Sequence, residues 1–252
     1  MGKIQIAVPS YKRYDCETVK LFSEELFDIT LFVNDEQEKA EYEKFNKVKV
    51  VATNTKGITP ARNAILSYYK PQDEVVMADD DIKSIQYLDP SGKKLIDATQ
   101  GQISELCQRG FAECKRLGTK LWGVYPVHNA FYMAHKNTYY NFVIGSFCGV
   151  IISDLRCDVN MRVKEDYDFT MAHIFKFGKV VRFDSWTVNA RHYTNKGGCV
   201  EDRNGKKDID TTAMEYLIKK YGRLIRKNPR REGEVIINSR LIESAIKGAK
   251  TK

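Results

Sequence analysis

The 252-residue sequence lacks the segments and motifs that mark several large classes of protein. Its longest apolar run, residues 142–152, has 11 residues, whereas a membrane-spanning helix needs about 20, so none is predicted. The N-terminal residues enter a strand-like pattern without the apolar stretch of a secretion signal. There is also no P-loop, Gly-x-Gly-x-x-Gly, Gly-x-Ser-x-Gly or His-Glu-x-x-His pattern. These absences argue against nucleotide-hydrolysing, dinucleotide-binding, α/β-hydrolase and zinc-protease chemistry.

The cysteines form no recognisable metal or disulfide framework. The six are spaced without a Cys-x-x-Cys pair or a nearby histidine at zinc-site spacing. Cys148, for example, lies between Phe147 and Gly149 in an apolar stretch, where a free thiol behaves as a small hydrophobic group. The sequence therefore predicts reduced thiols and a cytoplasmic protein.

Positive charge is concentrated at the C-terminal end. The chain has a net charge of +8, and residues 215–252 contain 11 Lys or Arg against 4 Asp or Glu, so that +7 of the total lies there. Such a segment suits a polyanion, whether nucleic acid, an anionic membrane surface or an acidic glycan. The alternative is a solvated tail that keeps the protein soluble.

Strand and helix patterns alternate over the first 85 residues. Short β-branched runs predict strands, and apolar spacing predicts helices between them, the first capped by Asp15. The strands are predicted at 4–8, 29–33, 48–52 and 74–78, and the helices at 16–27, 36–45 and 58–69. This alternation is typical of βαβ units, so we expect a mostly parallel sheet.

The later patterns are more mixed. Residues 95–117 are predicted to be helical, followed by three strands in a meander at 121–127, 130–135 and 142–153. A helix at 166–177, a strand at 180–184 and helices at 212–225 and 236–246 complete the prediction. Ligands of parallel α/β sheets bind beyond the carboxyl ends of the strands. We therefore expect Pro9-Ser10-Tyr11, Asn34-Asp35 and Asp79-Asp80-Asp81 to meet on one rim.

Three consecutive aspartates follow the fourth predicted strand. Adjacent carboxylates repel each other, and hard oxygen ligands suit Mg²⁺ or Mn²⁺. Alternate side chains of an extended segment share a side, so Asp79 and Asp81 can face a metal while Asp80 points away. The alternative is an acidic turn that caps a helix starting near Ile82.

Further along the chain, Glu165-Asp166 opens a predicted helix. A carboxylate there serves either as a general base for an acceptor hydroxyl or simply as an N-terminal capping group. Residues 57–63 also begin a helix, where backbone N–H groups and Arg62 either meet a diphosphate or form an ordinary helix start.

Histidine is scarce, with four in the chain. His192 precedes Lys196 and a pair of glycines, so it is a candidate third metal ligand beside a loop that closes on phosphates. The alternative for His192 is a hydrogen-bonded structural role. That role is also the one predicted for His128, His135 and His173.

Taken in chain order, these elements resemble the nucleotide-sugar glycosyltransferases of the GT-A fold. The resemblance covers about residues 3–200 and joins Val8-Pro9-Ser10-Tyr11, Asn34-Asp35, the 57–63 segment, Asp79-Asp80-Asp81, Glu165-Asp166 and the region of His192. It implies an α/β, Rossmann-like domain at 1–210 with a mostly parallel central sheet flanked by helices, and a basic helical extension at 211–252, within the same globule or appended to it.

The resemblance also implies roles for individual residues. A UDP-sugar donor would be bound by Pro9, Tyr11, Arg13, Asp35, Arg62, Asp79, Asp80 and Lys196. Mn²⁺ or Mg²⁺ would be held by Asp79, Asp81 and His192. Asp166, or else Glu165, would be the base that deprotonates the acceptor, which implies a single displacement with inversion at the anomeric carbon.

The acceptor suggested by the sequence is DNA. The chain is similar to the small phage-type glycosyltransferases associated with TET-like hydroxylases, which implies transfer to the hydroxymethyl group of 5-hydroxymethylpyrimidines in double- or single-stranded DNA, in the host cytoplasm. The DNA-binding candidates are Arg223, Arg226, Lys227, Arg230 and Arg231, because clustered cations suit a phosphate backbone. The alternatives are a cell-surface glycan or protein acceptor, and a non-catalytic nucleic-acid-binding module on the same fold.

Overall fold

The computed structural model describes residues 2–190 and 207–249. They form a ten-stranded mixed sheet with helices on both faces, and a separate two-stranded sheet. The strands are β1 Ile4–Pro9, β2 Phe27–Val33, β3 Lys49–Ala52, β4 Glu74–Ala78, β5 Ile82–Leu88, β6 Leu95–Asp97, β7 Leu121–Tyr125, β8 Asn137–Thr138, β9 Phe147–Ile151, β10 Val181–Ala190, β11 Ile225–Lys227 and β12 Val235–Ile237. The helices are α1 Glu36–Tyr42, α2 Ile58–Tyr68, α3 Gln100–Leu117, α4 Glu165–Phe177, α5 Lys207–Tyr221 and α6 Ser239–Ala249, with 3₁₀ turns at Glu17–Leu21, Ala130–Tyr132 and Gly222–Leu224.

The main sheet has the strand order β3-β2-β1-β4-β9-β7-β10-β5-β6, with β8 paired to β10. The strands that run in one direction are β1, β2, β3, β4, β6, β7 and β10. Those that run in the opposite direction are β5, β8 and β9. The predicted class, a Rossmann-like α/β fold with a mostly parallel central sheet flanked by helices, is therefore confirmed. None of the helices within the described ranges is long and apolar enough to cross a bilayer.

The hydrophobic core has two layers, one on each face of the sheet. Successive residues of a strand point to opposite faces, so Ile6 and Val8 of β1 pack in one layer while Ala7 packs in the other. The first layer includes α3, whose apolar face buries Phe111. Trp122 of β7 also belongs to this layer, and it is fully buried. The other layer receives α2, α4, α5 and α6.

The C-terminal residues are part of this second layer. Met214 and Leu217 of α5, Ile225 of β11, Val235 of β12 and Ile242 of α6 lie in the same hydrophobic cluster as the strands of the main sheet. β11 and β12 form an antiparallel hairpin, and its connecting loop is residues 228–234. The packing brings the cationic end of the chain against the α/β core.

One predicted helix near the N-terminal end is wrong, and the helix start considered as an alternative at Ile82 does not form. Residues 16–27 are not a helix capped by Asp15, since only the 3₁₀ turn Glu17–Leu21 forms and Phe27 already begins β2. The reason is tertiary, because Thr18 Oγ1 donates to the carbonyl of Asp79 at 2.8 Å and accepts from the Ile82 amide at 2.9 Å. Ile82 itself begins strand β5, not a helix.

The predicted meander is also wrong. Residues 130–132 form a 3₁₀ turn capped by Asn129, residues 133–135 are irregular, and in the 142–153 run only Phe147–Ile151 is a strand. That strand, β9, lies between β4 and β7. Residues 95–97 are strand β6, not the start of a helix, and β10 runs on to Ala190. Near the C-terminal end, α5 ends at Tyr221 and α6 begins at Ser239, so 225 and 236–237 belong to strands.

Candidate active site

A cleft of about 660 Å³ opens at the carboxyl ends of β1, β2 and β4, a size typical of small-molecule sites. The starts of α2 and α4 and the 228–234 loop also border it. Of the residues singled out from the sequence, the cleft is lined by Pro9, Tyr11, Arg13, Arg62, Asp79, Asp80, Asp81, Glu165, Asp166 and Arg231. Residues of several distant segments thus meet at one edge of the sheet.

Other predicted site residues lie elsewhere. Asp35 does not line the cleft, although its neighbour Asn34 does. The Asp35 side chain instead caps α1 by accepting from the Glu38 amide at 2.8 Å. Arg223, Arg226, Lys227 and Arg230 are exposed and do not line the cleft either. His192 and Lys196 fall outside the described residues.

Asp80 is held by a polar cluster at the base of the cleft. Ser10 Oγ donates to Asp80 Oδ2 at 2.5 Å, and the Arg13 guanidinium forms an ion pair with the same carboxylate. The Tyr42 hydroxyl lies 2.7 Å from Ser10 Oγ and accepts from the Arg13 amide at 2.9 Å. Burial raises the pKa of Asp80, while Arg13 acts against that rise. Asp80 is therefore satisfied by protein groups.

Asp79 and Asp81 are more open to the cleft than Asp80 is. Their side chains are 30% and 11% exposed, against 7% for Asp80. Arg13 reaches Asp81 at a longer distance, 3.4 Å. Burial, followed by the charges of Asp79 and Asp80, raises the pKa of Asp81 to about 7. Asp79 contacts Arg62 at 3.1 Å and Asp81 contacts Arg13 at 3.4 Å, so both carboxylates are paired less closely than Asp80.

The donor atoms that the acidic segments offer are carboxylate oxygens. The carboxylates of Asp79, Asp80, Asp81, Glu165 and Asp166 line the cleft around Arg13 and Arg62, and the lining also includes Glu234, Lys56, Lys164 and Arg231. The oxygen ligands are of the type that Mg²⁺ and Mn²⁺ prefer. Within residues 2–190 and 207–249, no three His, Cys, Asp or Glu side chains already stand in a metal-binding arrangement.

Arg62, in the second turn of α2, connects the two acidic segments. Its Nε lies 3.0 Å from Glu165 Oε1, its Nη2 lies 3.1 Å from Asp79 Oδ1, and its Nη1 donates to the Gly145 carbonyl at 2.9 Å. The side chain is 6% exposed. Burial opposes its charge, but Glu165 and Asp79 outweigh that effect and keep the pKa of Arg62 above its ordinary value. These contacts place the guanidinium against carboxylates of both acidic segments, and Arg62 also lines the cleft.

Glu165 and Asp166 occupy different environments although they are neighbours. Glu165 is buried against Arg62, and burial raises its pKa. Asp166 is half-buried, and its Oδ2 accepts from the Gly145 amide at 3.1 Å while its Oδ1 accepts from the Tyr167 amide at 2.9 Å. Burial also raises the pKa of Asp166. The more open carboxylate, Asp166, is the better placed of the two to meet a hydroxyl in the cleft.

The C-terminal hairpin contributes a wall that sequence reasoning missed. Asn228, Arg231 and Glu234 of the 228–234 loop line the cleft, as do Phe142 and Tyr167, whose rings stack with centroids 3.8 Å apart. The signal was present in the concentration of cations around the loop. Nothing in the sequence showed that a segment so far along the chain would return to the rim of the sheet.

The five cysteines within the described residues, Cys16, Cys107, Cys114, Cys148 and Cys157, are buried and unpaired. Burial raises the pKa of Cys16 and of Cys148 to about 12. A raised pKa disfavours the thiolate, which is the reactive form of cysteine. Neither of these two thiols lines the cleft.

No protein-family model matches this chain, and no curated protein sequence does. Among solved structures, the chain is similar to the CMP:2-keto-3-deoxy-manno-octonic acid synthetase complexed with CTP, with 8% identity and a TM-score of 0.46 over 72% of this chain and 89% of that one. It is also similar to A197 from STIV, with 10% identity and a TM-score of 0.41 over 75% of this chain and 86% of that one. At these TM-scores the likeness carries no argument about activity.

Proposed function

We propose that this protein is a GT-A glycosyltransferase that transfers a sugar from a UDP-sugar to a hydroxyl acceptor. The observation that carries the proposal is the convergence of Tyr11, Arg13, the 79–81 carboxylates and Asp166 in one cleft at the carboxyl edge of the sheet. Pro9 and Tyr11 would contact the nucleoside. Arg13 holds Asp80 and reaches Asp81, so it would fix the acidic loop beside the diphosphate.

Asp79 and Asp81 would hold Mn²⁺ or Mg²⁺, which supplies positive charge for the leaving diphosphate. The acceptor oxygen would attack the anomeric carbon, the bond from that carbon to the diphosphate oxygen would break, and Asp166 would take the acceptor proton. UDP would leave with the electron pair of the broken bond. One displacement of this kind inverts the anomeric carbon. The contacts of Asp166 with the Gly145 and Tyr167 amides would aim its carboxylate.

The acceptor that we propose is the hydroxymethyl group of a 5-hydroxymethylpyrimidine in DNA. The support is the cationic hairpin, whose Arg226, Lys227, Arg230 and Arg231 are exposed and whose loop borders the cleft. Exposed cations on a wall of the site would bind phosphates, and a target base would have to leave the duplex to reach Asp166. Residues 1–210 would form the transferase and residues 211–252 its acceptor-binding part.

The experiment is incubation of the full chain with hydroxymethylated DNA, a panel of UDP-sugars and Mn²⁺, followed by digestion to nucleosides and mass spectrometry. We expect a sugar adduct on the modified base with at least one donor. DNA without the hydroxymethyl group and the Asp166→Asn variant are the controls. UDP binding with no adduct on DNA would redirect the search to glycan or protein acceptors. DNA binding without UDP binding would favour a non-catalytic module.

A further inference from the structure

Lys164, the residue before Glu165, combines burial with an unusual backbone conformation. It is 7% exposed, and its φ is 61° with ψ 23°, the left-handed region that residues other than glycine rarely adopt. It stands at the N-cap of α4 but caps no backbone amide with its side chain. Residues held in such conformations cluster at functional sites, where surrounding contacts keep them in place.

The contacts that hold Lys164 come from the C-terminal part of the chain. Its Nζ lies 2.9 Å from Glu234 Oε1 and 3.1 Å from Asp210 Oδ1. Glu234 belongs to the hairpin loop that borders the cleft, and Asp210 belongs to α5. A second link runs in parallel, because the Tyr167 hydroxyl donates to the Val235 carbonyl at 3.3 Å. The first turn of α4 is thus attached at two points to the segment that follows the main sheet.

Asp166 lies between these two points of attachment. Its Oδ2 depends on a single amide, that of Gly145, for its position at the cleft. A change in the backbone at Lys164 would rotate the turn that follows and move Asp166 away from that amide. A displacement of about 1 Å at a reacting group can cost about 100-fold in rate.

We propose that Lys164 is a positioning residue that ties the cationic C-terminal hairpin to the start of α4 and thereby sets the place of Asp166. The ion pair between Lys164 and Glu234 compensates the charge of Glu234. The backbone amide of Glu234 donates to the Arg231 carbonyl at 3.3 Å in the same loop. Lys164 therefore pairs with the Glu234 carboxylate in the same loop that carries Arg231, which lines the cleft. The chemical role of Asp166 in this proposal rests on the proposed transferase function, whereas the link between the hairpin and α4 does not.

The test compares Lys164→Met with Lys176→Met in the full chain. Lys176 lies in the last turn of the same helix and pairs with Asp154 at the surface, so it controls for the loss of one lysine from α4. For Lys164→Met we expect turnover to fall on the order of 10- to 100-fold with the donor KM within about twofold of wild type. Glu234→Gln, which leaves the lysine in place, should give a smaller loss of the same kind. Lys176→Met should change neither constant.

Hydrogen exchange of the same proteins gives a readout that needs no substrate. Lys164→Met should exchange faster than wild type in peptides covering 141–147 and 225–237, and Lys176→Met should not. Unchanged turnover and unchanged exchange in Lys164→Met would overturn the proposal. If the wild type transfers no sugar, the transferase assignment fails, and exchange alone decides whether Lys164 links the hairpin to α4. Faster exchange with unaltered turnover would assign the lysine a structural role and refute positioning.

Discussion

The Nε atom of Arg62 lies 3.0 Å from Oε1 of Glu165, and the two side chains are 6% and 7% exposed. This ion pair joins the second turn of α2 to the first turn of α4 at the edge of the cleft. A buried pair contributes little over an apolar pair of the same shape, but removing one partner leaves a buried charge without compensation. The arrangement of carboxylates in the cleft and the stability of the fold are therefore coupled at this point.

Arg62→Met should destabilise the protein by about 3–5 kcal/mol, because Glu165 and Asp79 lose the cation between them. Urea denaturation followed by tryptophan fluorescence measures the free energy of unfolding. Arg116→Met is the matched control, since Arg116 is exposed and pairs with Glu113 on α3, where the loss should stay below about 1 kcal/mol. Equal losses in the two variants would contradict the assignment of Arg62 to a buried network.

Gly145→Ala should disturb the contacts of Arg62 with Glu165 and Asp79 by crowding the guanidinium. A Cβ atom at Gly145 would lie 2.5–2.7 Å from three atoms of the Arg62 guanidinium, which other contacts hold in place. We expect a loss of about 1–3 kcal/mol, typical of overpacking, together with loss of turnover. Gly101→Ala in α3 is the control, because the nearest atom to its Cβ is 4.0 Å away, and alanine in a helix should be neutral or slightly stabilising. Wild-type stability in Gly145→Ala would show that Arg62 moves freely.

Much of the site follows from local sequence patterns. The β1, β2 and β4 patterns, together with the rule that ligands bind at the carboxyl ends of parallel strands, predict that Tyr11 and the 79–81 carboxylates share a rim, and they line one cleft. The start of a helix at Glu165 can also be predicted from the sequence, because acidic residues precede an apolar helical pattern. These features depend on residues close together in the chain.

The parts that could not be predicted depend on long-range contacts. The Thr18 hydroxyl donates to the Asp79 carbonyl and accepts from the Ile82 amide, on either side of the loop after β4. The apolar spacing in residues 16–27 therefore does not produce a helix. Lys164 meets Glu234 across 70 residues of sequence. The left-handed backbone of a lysine has no sequence signal at all. Local propensity cannot report contacts of this kind, because tertiary packing overrides it.

His173 should make the protein less stable in mild acid. It is fully buried in α4, its Nδ1 lies 2.9 Å from the Phe169 carbonyl, and burial lowers its pKa to about 4. The unfolded chain takes up a proton near pH 6.5 while the folded protein stays neutral, so stability is lost as the pH falls from about 6.5 to about 4. The loss should reach about 3 kcal/mol.

Urea denaturation of wild type and His173→Gln at pH 7 and pH 4.5 measures this effect. The variant should show a smaller difference between the two pH values, because the titrating group is gone. His135→Gln is the control, since His135 is exposed and its removal should leave the pH dependence as it is in wild type. An unaltered difference in His173→Gln would mean that His173 takes up its proton equally in the folded state.

Asp166→Asn and Glu165→Gln should separate the two neighbouring carboxylates. Asp166→Asn keeps the shape of the side chain but cannot accept the acceptor proton, so we expect turnover to fall on the order of 100- to 10,000-fold with UDP affinity nearly intact. Glu165→Gln weakens the ion pair with Arg62, so its main effect should be on the free energy of unfolding. Titration calorimetry with UDP and Mn²⁺ measures the UDP affinity of both variants and so distinguishes them from variants of the donor site. Loss of UDP binding in Asp166→Asn would place that residue at the donor instead.

The cationic hairpin should contribute to DNA affinity through charge and not through sequence recognition. Exposed cations that contact phosphates release counterions, and each lost contact reduces the slope of log affinity against log salt by about 0.9 for duplex DNA. We expect replacement of these cations by glutamine to weaken binding at all sequences and to flatten the salt dependence, while UDP affinity barely changes. The substituted residues are Arg226, Lys227, Arg230 and Arg231.

Fluorescence anisotropy over a salt series measures both quantities. Lys44→Gln with Lys47→Gln is the control, because these exposed lysines lie beyond α1 and outside the cleft lining. Arg231→Gln alone is the sharper variant, since Arg231 is the cation of this set that borders the cleft. It should lower transfer more than Arg226→Gln does at equal DNA occupancy, because only Arg231 lies where the reacting nucleotide would be held. A control as damaging as the hairpin variant would mean that DNA responds to net charge alone.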